Sequence, residues 1–139
     1  MELALERKVQ YYETDQMGIV HHSNYIRWFE EGRVEYLDSL GLPYKKLEDM
    51  GIGIPVLGVS CEYKLPAKFG DVACIYLEFK QLTPVKMVVS YRITNKETEV
   101  LLATGETKHC YVDEKFKVTN IQKKYPDVYE ELKSKLQTK

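Results

Sequence analysis

Tyr12-Glu13-Thr14-Asp15-Gln16-Met17-Gly18-Ile19-Val20-His21-His22-Ser23-Asn24-Tyr25 places a lone carboxylate, a glycine turn and a helix start in one short run, and the residues that follow it decide the fold. From Tyr25 to Leu40 the residues Tyr25, Phe29, Tyr36 and Leu40 recur at helical spacing. Gly32 is the small member of that stripe, and Ile26, Trp28 and Leu37 widen it. The pattern predicts one long, largely buried helix. Ser23 or Asn24 stands where an N-cap is needed, and Gly41 followed by Pro43 supplies the stop. A helix N-terminus leaves about four backbone N–H groups without internal partners and carries roughly half a positive charge. The residues around His22 therefore sit where an oxyanion or carbonyl oxygen can be held. A strand ending near Glu13, a turn through Gly18 and a helix starting near His22 would bring Asp15 and those donors into one small volume. Acyl transfer requires that geometry.

Working outward, a first strand is expected from about Leu5 to Glu13. Pro43 to Gly51 reads as a short helix or helical turn, with Tyr44, Leu47 and Met50 spaced three apart. Ile54 to Leu65 reads as a long strand that Gly58 kinks or bulges and Pro66 ends. Further strands run from Val72 to Leu82, Val85 to Asn95 and Glu99 to Asp113, separated by Thr83-Pro84 and by the polar Asn95-Lys96-Glu97-Thr98 turn. Such short connections make neighbours antiparallel. In the Val85–Asn95 strand, Met87, Val89, Tyr91 and Ile93 share one face and Val88, Ser90, Arg92 and Thr94 the other. One antiparallel sheet with an apolar face and one long apolar helix must pack together, which is an α+β layer solution. Pro126, Asp127, Tyr129, Leu132 and Leu136 suggest a C-terminal helix that docks on the outside or frays. The chain is thus expected to be a single domain over 1–139, with a core of about 5–118 and a helical tail of about 121–139.

Composition narrows the partners. A formal charge of −1, with acids and bases interspersed, gives no reason to expect nucleic acid. Met1-Glu2-Leu3-Ala4-Leu5-Glu6-Arg7 lacks the apolar core of a signal peptide, and no run is long enough to span a bilayer, so no membrane insertion and a cytoplasmic location are expected. Cys61, Cys74 and Cys110 are odd in number and widely spaced, as buried free thiols would be, rather than a disulfide framework or zinc knuckle.

The ordered core Thr14-Asp15-x-x-Gly18-Ile19-Val20-x-His22-x-x-Tyr25, with Glu30-x-x-Arg33 further along the helix, resembles the hot-dog-fold acyl-CoA thioesterases of the 4-hydroxybenzoyl-CoA thioesterase and YbgC type. The resemblance extends from about Leu5 to Val118. It implies a hot-dog fold, in which an antiparallel sheet of about five strands wraps around one long central helix. It also implies hydrolysis of an acyl-CoA or acyl-carrier-protein thioester, no metal or redox cofactor, and a homodimer or homotetramer with its sites between subunits.

Taken alone, an aspartate before a glycine turn is a turn residue or cap. The resemblance makes Asp15 the catalytic carboxylate, as nucleophile or as general base toward water. It places the polarising backbone N–H at His22, whose side chain would orient Asp15 or a water, and it surrounds the substrate with Gly18, Val20, Asn24 and Tyr25. His21 and His22 are not expected to bind metal, because consecutive turn residues point apart and no ligand cluster accompanies them. Glu30 and Arg33 are spaced so that they can pair along the helix, and a structural or interface role is expected of them; Glu31 is redundant as a nucleophile beside Asp15. His109 is expected to be packed or at an edge. Lys64, Lys68 and Lys86, near strand ends, are the cations available to coenzyme A phosphates. A module that holds acyl thioesters without hydrolysing them is the alternative, and Asp15 argues against it, since binding a neutral thioester gains little from a desolvated carboxylate. A hot-dog hydratase would carry a different spacing of acid and histidine.

Overall fold

The helical stripe becomes α1, Ser23–Ser39, with Tyr25, Trp28, Phe29, Gly32, Tyr36 and Leu37 buried along it, in a computed structural model that describes residues 1–136. Residues 137–139 of the expected tail lie outside the described residues. Gly41 ends α1 at φ +76°, a left-handed conformation that L side chains resist; its N–H reaches Asp38 O, and the Leu42 N–H reaches Leu37 O. The N-terminus is closed otherwise than expected. Ser23 is already helical, and Asn24 turns its amide back to the Glu13 carbonyl at 2.9 Å. His21 Nδ1 accepts the Ser23 N–H at 3.2 Å, so an imidazole takes the place of the expected Ser23 or Asn24 oxygen.

Five strands, β1 (Glu2–Lys8), β2 (Val56–Tyr63), β3 (Val72–Leu82), β4 (Lys86–Asn95) and β5 (Leu101–Cys110), form one antiparallel sheet in the order β1-β3-β4-β5-β2. The expected first strand is corrected: β1 stops at Lys8, and the chain leaves the sheet for a single 3₁₀ turn, Tyr11–Glu13, because the Glu13 carboxylate draws in the Gln10 N–H at 2.7 Å. Register shifts between Val56 and Gly58, where the sequence placed a bulge. β5 ends before Asp113, and Val112 instead bridges Gly53 and Val118.

α1 lies across the apolar face of this sheet. Phe29 stacks on Tyr91 with centroids 4.3 Å apart, and Tyr36 meets Phe79 edge-on at 5.5 Å. The alternation of β4 is realised, with Met87, Val89, Tyr91 and Ile93 all buried. Gly105 on β5 lets the Phe29 ring approach: a Cβ there would stand 2.5 Å from Phe29 Cε2 and 2.5 Å from the Ser60 carbonyl oxygen. One of those neighbours is backbone and cannot swing away. Gly105→Ala should therefore cost about 3 kcal/mol, the upper part of the usual overpacking range, as a lower urea midpoint at unchanged slope.

The remaining helices are α2 (Tyr44–Asp49), α3 (Ile121–Lys124) and α4 (Pro126–Lys133), with Pro126 in the first turn of α4. The tail docks: Ile121, Val128, Tyr129 and Leu132 are buried, and Tyr125 Oη donates to Met50 O at 2.5 Å. No helix among the described residues is long and apolar enough to cross a membrane.

The Glu30–Arg33 pair that the spacing allows does not form. Arg33 points into the core, donating from Nε to Tyr44 Oη at 3.1 Å and from Nη1 to Tyr91 Oη at 2.9 Å, while Glu30 stays exposed. A guanidinium only donates, which leaves the Tyr91 hydroxyl free to donate to Thr107 Oγ1 (2.7 Å), and Thr107 Oγ1 shares a further hydrogen bond with His109 Nε2 (2.8 Å). Burial, and next the Arg33 charge, pushes His109 down to about 4 from an ordinary 6.5. Above pH 6.5 the imidazole is neutral in both folded and unfolded chains. As pH falls toward 4, the unfolded chain takes up a proton that the folded one refuses, and stability declines by about 3 kcal/mol. Urea denaturation at pH 7 and pH 4.5 should show this slope, and His109→Gln should flatten it.

Candidate active site

The segment between β1 and α1 is a small hairpin. The Asp15 N–H donates to Ile19 O at 2.8 Å, the Gly18 N–H to Asp15 O at 3.0 Å, and Thr14 pairs with Val20. Gly18 closes the turn at φ +80°, which explains why glycine occupies it. The hairpin is clamped on its far side by Ile19 bridging Lys68 and by the Val20 N–H on Ala67 O at 2.9 Å.

Beneath it lies Glu13, only 3 % exposed. Its Oε1 accepts the Gln10 N–H at 2.7 Å, and its Oε2 accepts Trp28 Nε1 at 2.9 Å and Arg7 Nη2 at 3.0 Å. Its backbone carbonyl accepts the His21 N–H at 2.8 Å and the Asn24 amide at 2.9 Å. Arg7 is held in turn by Glu31 at 2.9 Å, so Glu31 serves as an ion-pair partner. One carboxylate thus ties β1, the hairpin and α1 together.

Asp15, Val20, His22 and Tyr25 line a single cleft of about 300 Å³, closed on the other side by Tyr63, Lys64, Leu65 and Pro66 from the end of β2. Asp15 is half-buried; its Oδ1 accepts the Met17 N–H at 2.8 Å, and its Oδ2 accepts from no protein group among the described residues. At the N-terminus of α1 the backbone donors are nearly all spoken for: His21 N–H by Glu13 O, Ser23 N–H by His21 Nδ1, Asn24 N–H by His21 O and Tyr25 N–H by His22 O. The His22 N–H is the exception in this turn, with no acceptor among the described residues. Asp15, with a free carboxylate oxygen, and His22, with a free backbone donor at the positive end of a helix, therefore line the same cleft.

Gly18 and Asn24, expected near the substrate, are not among the residues lining the cleft. Gly18 shapes the turn and Asn24 braces Glu13. Tyr25 packs under the loop at 3 % exposure, its Oη accepting the Ala67 N–H at 3.3 Å. His21 and His22 do not point apart as expected; their rings stack with centroids 4.2 Å apart. Among the described residues no group of three or more His, Cys, Asp or Glu is placed to hold a metal ion.

Of the β2 end, only Lys64 was singled out by sequence, as a cation for coenzyme A; Tyr63, Leu65 and Pro66 were not. Tyr63 donates to His22 O at 3.2 Å and meets Tyr25 edge-on at 5.1 Å, and burial raises its phenol to about 12, so it stays protonated. The signal was present in the apolar run that ends at Tyr63-Lys64-Leu65-Pro66, but its meeting with His22 spans 41 positions. Lys64 reaches the cleft while paired to Glu62 at 2.9 Å, and Lys68 flanks it through the bridge to Ile19. Lys86 stands away from this cleft within the chain. It pairs with Cys110 whereas Tyr63 pairs with Ala103, seven positions along β5. Those two points stand about 23 Å apart at strand rise.

The profile of the thioesterase-like superfamily matches residues 9–136. A protein of Aquifex aeolicus named "Putative esterase" is 44 % identical over 128 residues, covering 92 % of this chain and 98 % of that protein. In Bacillus subtilis, "Putative acyl-CoA thioesterase YneP" is 35 % identical over 122 residues, 88 % of each chain. The solved structure of a DHNA-CoA thioesterase from Staphylococcus aureus superposes with a TM-score of 0.88 at 30 % identity, covering 94 % of this chain and 87 % of that one.

Proposed function

This chain belongs to the thioesterase-like superfamily and is a thioester hydrolase, and from that premise we propose that the cleft between the Asp15 hairpin and the end of β2 cleaves acyl-CoA to free acid and coenzyme A. The observation that carries the reading is the free Asp15 Oδ2 and the unpartnered His22 N–H on one cleft.

The thioester carbonyl oxygen takes the His22 N–H and the helix N-terminus as its partners, and charge developing on that oxygen is stabilised there. One such donor is typically worth about 2.7–4 kcal/mol. Asp15 Oδ2 either removes a proton from water as the water attacks the carbonyl carbon, or attacks that carbon itself to give an anhydride that water then opens. On both routes the C–S bond breaks, the sulfur leaves as thiolate and is protonated, and the acyl group ends as a carboxylate. Tyr63, protonated and anchored on His22 O, fixes the far wall; Val20 and Tyr25 supply apolar surface for the acyl group. Acyl-carrier protein presents the same thioester on the same arm and is accommodated by the same chemistry.

Homo-oligomerisation fits this reading. β2 is a sheet edge whose Val56, Leu57 and Val59 are 50 %, 61 % and 46 % exposed, a row that pairing with a second copy would cover.

The reading is tested by product analysis on a panel of acyl-CoAs of graded chain length plus an aromatic acyl-CoA. Release of thiol and free acid in equal amounts is expected for at least one member. Hydrated product with the thioester intact, or tight binding without thiol, would contradict it.

A further inference from the structure

The residue that precedes the free His22 N–H is held at three points. The His21 N–H donates to Glu13 O at 2.8 Å, its carbonyl accepts the Asn24 N–H at 3.0 Å, and its ring Nδ1 accepts the Ser23 N–H at 3.2 Å and lies 2.8 Å from Ser23 Oγ. The His21 carbonyl and the His22 N–H belong to one planar peptide group, so the bonds that hold His21 also set the direction of that donor. The first two bonds are main-chain on the His21 side and any residue but proline can make them. Only the third needs a side-chain acceptor, and an imidazole supplies it.

A backbone N–H can only donate, so the Nδ1 that meets Ser23 is bare and the neutral ring carries its proton on Nε2. A further proton turns Nδ1 from acceptor into donor. The imidazolium can hold Ser23 Oγ but not the Ser23 N–H, and it places a positive charge at the positive end of α1, where a cation is disfavoured. The His22 ring is stacked on it with centroids 4.2 Å apart, so the change is felt on both sides of the His21–His22 peptide. The other ionisable groups around this turn are accounted for. The Glu13 carboxylate is engaged by Gln10, Trp28 and Arg7; Asp15 and Lys64 share the cleft with His22, Lys64 paired to Glu62; and Tyr63 holds His22 O. Among the described residues the His21 ring has hydrogen bonds to Ser23 alone.

We propose that His21 is a positioning residue for hydrolysis: as a neutral imidazole it caps the turn that presents the His22 N–H, and on protonation it releases that turn and slows the reaction. The proposal rests on the reading of the His22 N–H as the donor to the thioester oxygen. His21 itself does not line the cleft, so it acts through its neighbour and not on the substrate.

The test uses the intact chain labelled with ¹⁵N. Ring nitrogen shifts give the midpoint at which His21 takes up its proton, and the Ser23 amide shift should move with that same midpoint. Thiol release from an acyl-CoA is then followed between pH 8 and pH 5 in the wild type, His21→Ala and His21→Asn; the side chain is exposed, so both variants should fold. At pH 8, kcat of His21→Ala should be lower by about fivefold, the rate equivalent of a lost cap of about 1 kcal/mol. His21→Asn offers an amide oxygen to the Ser23 N–H at every pH and should recover most of that loss. Its kcat should also fall about fivefold less than that of the wild type on going to pH 5, because Asp15 and His22 are common to both chains and only the wild type loses the cap. A Ser23 amide that ignores the His21 midpoint, or a His21→Asn profile that overlays the wild type, would overturn the proposal and leave the hydrolysis reading standing. A wild type that releases no thiol at any pH would overturn the hydrolysis reading and this proposal with it.

Discussion

Glu13→Ala should lower unfolding stability by about 3–5 kcal/mol, the usual cost of removing one partner from a buried charge pair. The substitution strips acceptors from the Trp28 indole, the Gln10 N–H and Arg7 at once, in a pocket 3 % exposed. Each orphaned donor pays its desolvation without return. Against a total of roughly 5–15 kcal/mol for a domain, such a loss is a large fraction. Trp28 is the sole tryptophan of the chain and touches Glu13 directly, so its fluorescence reports the change at the point where it occurs. Urea denaturation followed by that signal should give a clearly lower midpoint. Turnover should fall as well: the substituted chain keeps the backbone carbonyl that positions His21 and Asn24 on either side of the His22 N–H, but loses the carboxylate bonds to Arg7, Gln10 and Trp28 that hold that carbonyl in place. Arg7→Lys should be milder, since Trp28 and Gln10 keep their acceptor.

Asp15→Asn should reduce kcat by at least about 10²–10⁴-fold, the range general-base assistance supplies, with the larger loss if Asp15 acts as nucleophile. The amide keeps the size of the carboxylate and can still accept the Met17 N–H through its oxygen, so the hairpin should fold as before. What disappears is the carboxylate charge of a residue that lines the cleft. Because the lost interaction operates in the transition state, kcat and kcat/KM should fall together while KM changes little. An unchanged thermal midpoint would separate this chemical effect from the structural one predicted for Glu13.

These two residues mark where sequence patterning works and where it stops. The stripe from Tyr25 to Leu40 and the Gly41 stop were readable because helix periodicity and left-handed glycine act within a few residues. β3 runs from Val72 to Leu82 as its pattern indicates, and β4 buries the face its alternation assigns. Asp15 and His22 were readable as neighbours because the turn between them is local. Glu13 was not, since its partners Arg7 and Trp28 lie on separate elements and nothing in spacing distinguishes it from a strand residue. The helical spacing of Glu30 and Arg33 suggested a pair, but the core offered Arg33 two tyrosine hydroxyls while Glu30 remained in water. Tyr63 and the β2 end join the cleft through sheet topology, which brings together residues that are far apart in the chain.

The most direct measurement is thiol release from acyl-CoA by the purified wild-type chain and Asp15→Asn side by side, at equal concentration and with folding verified. The account predicts robust release by the wild type and a loss of at least about a hundredfold in the variant. Near-equal release by both chains would contradict it and move the chemistry away from the Asp15–His22 cleft.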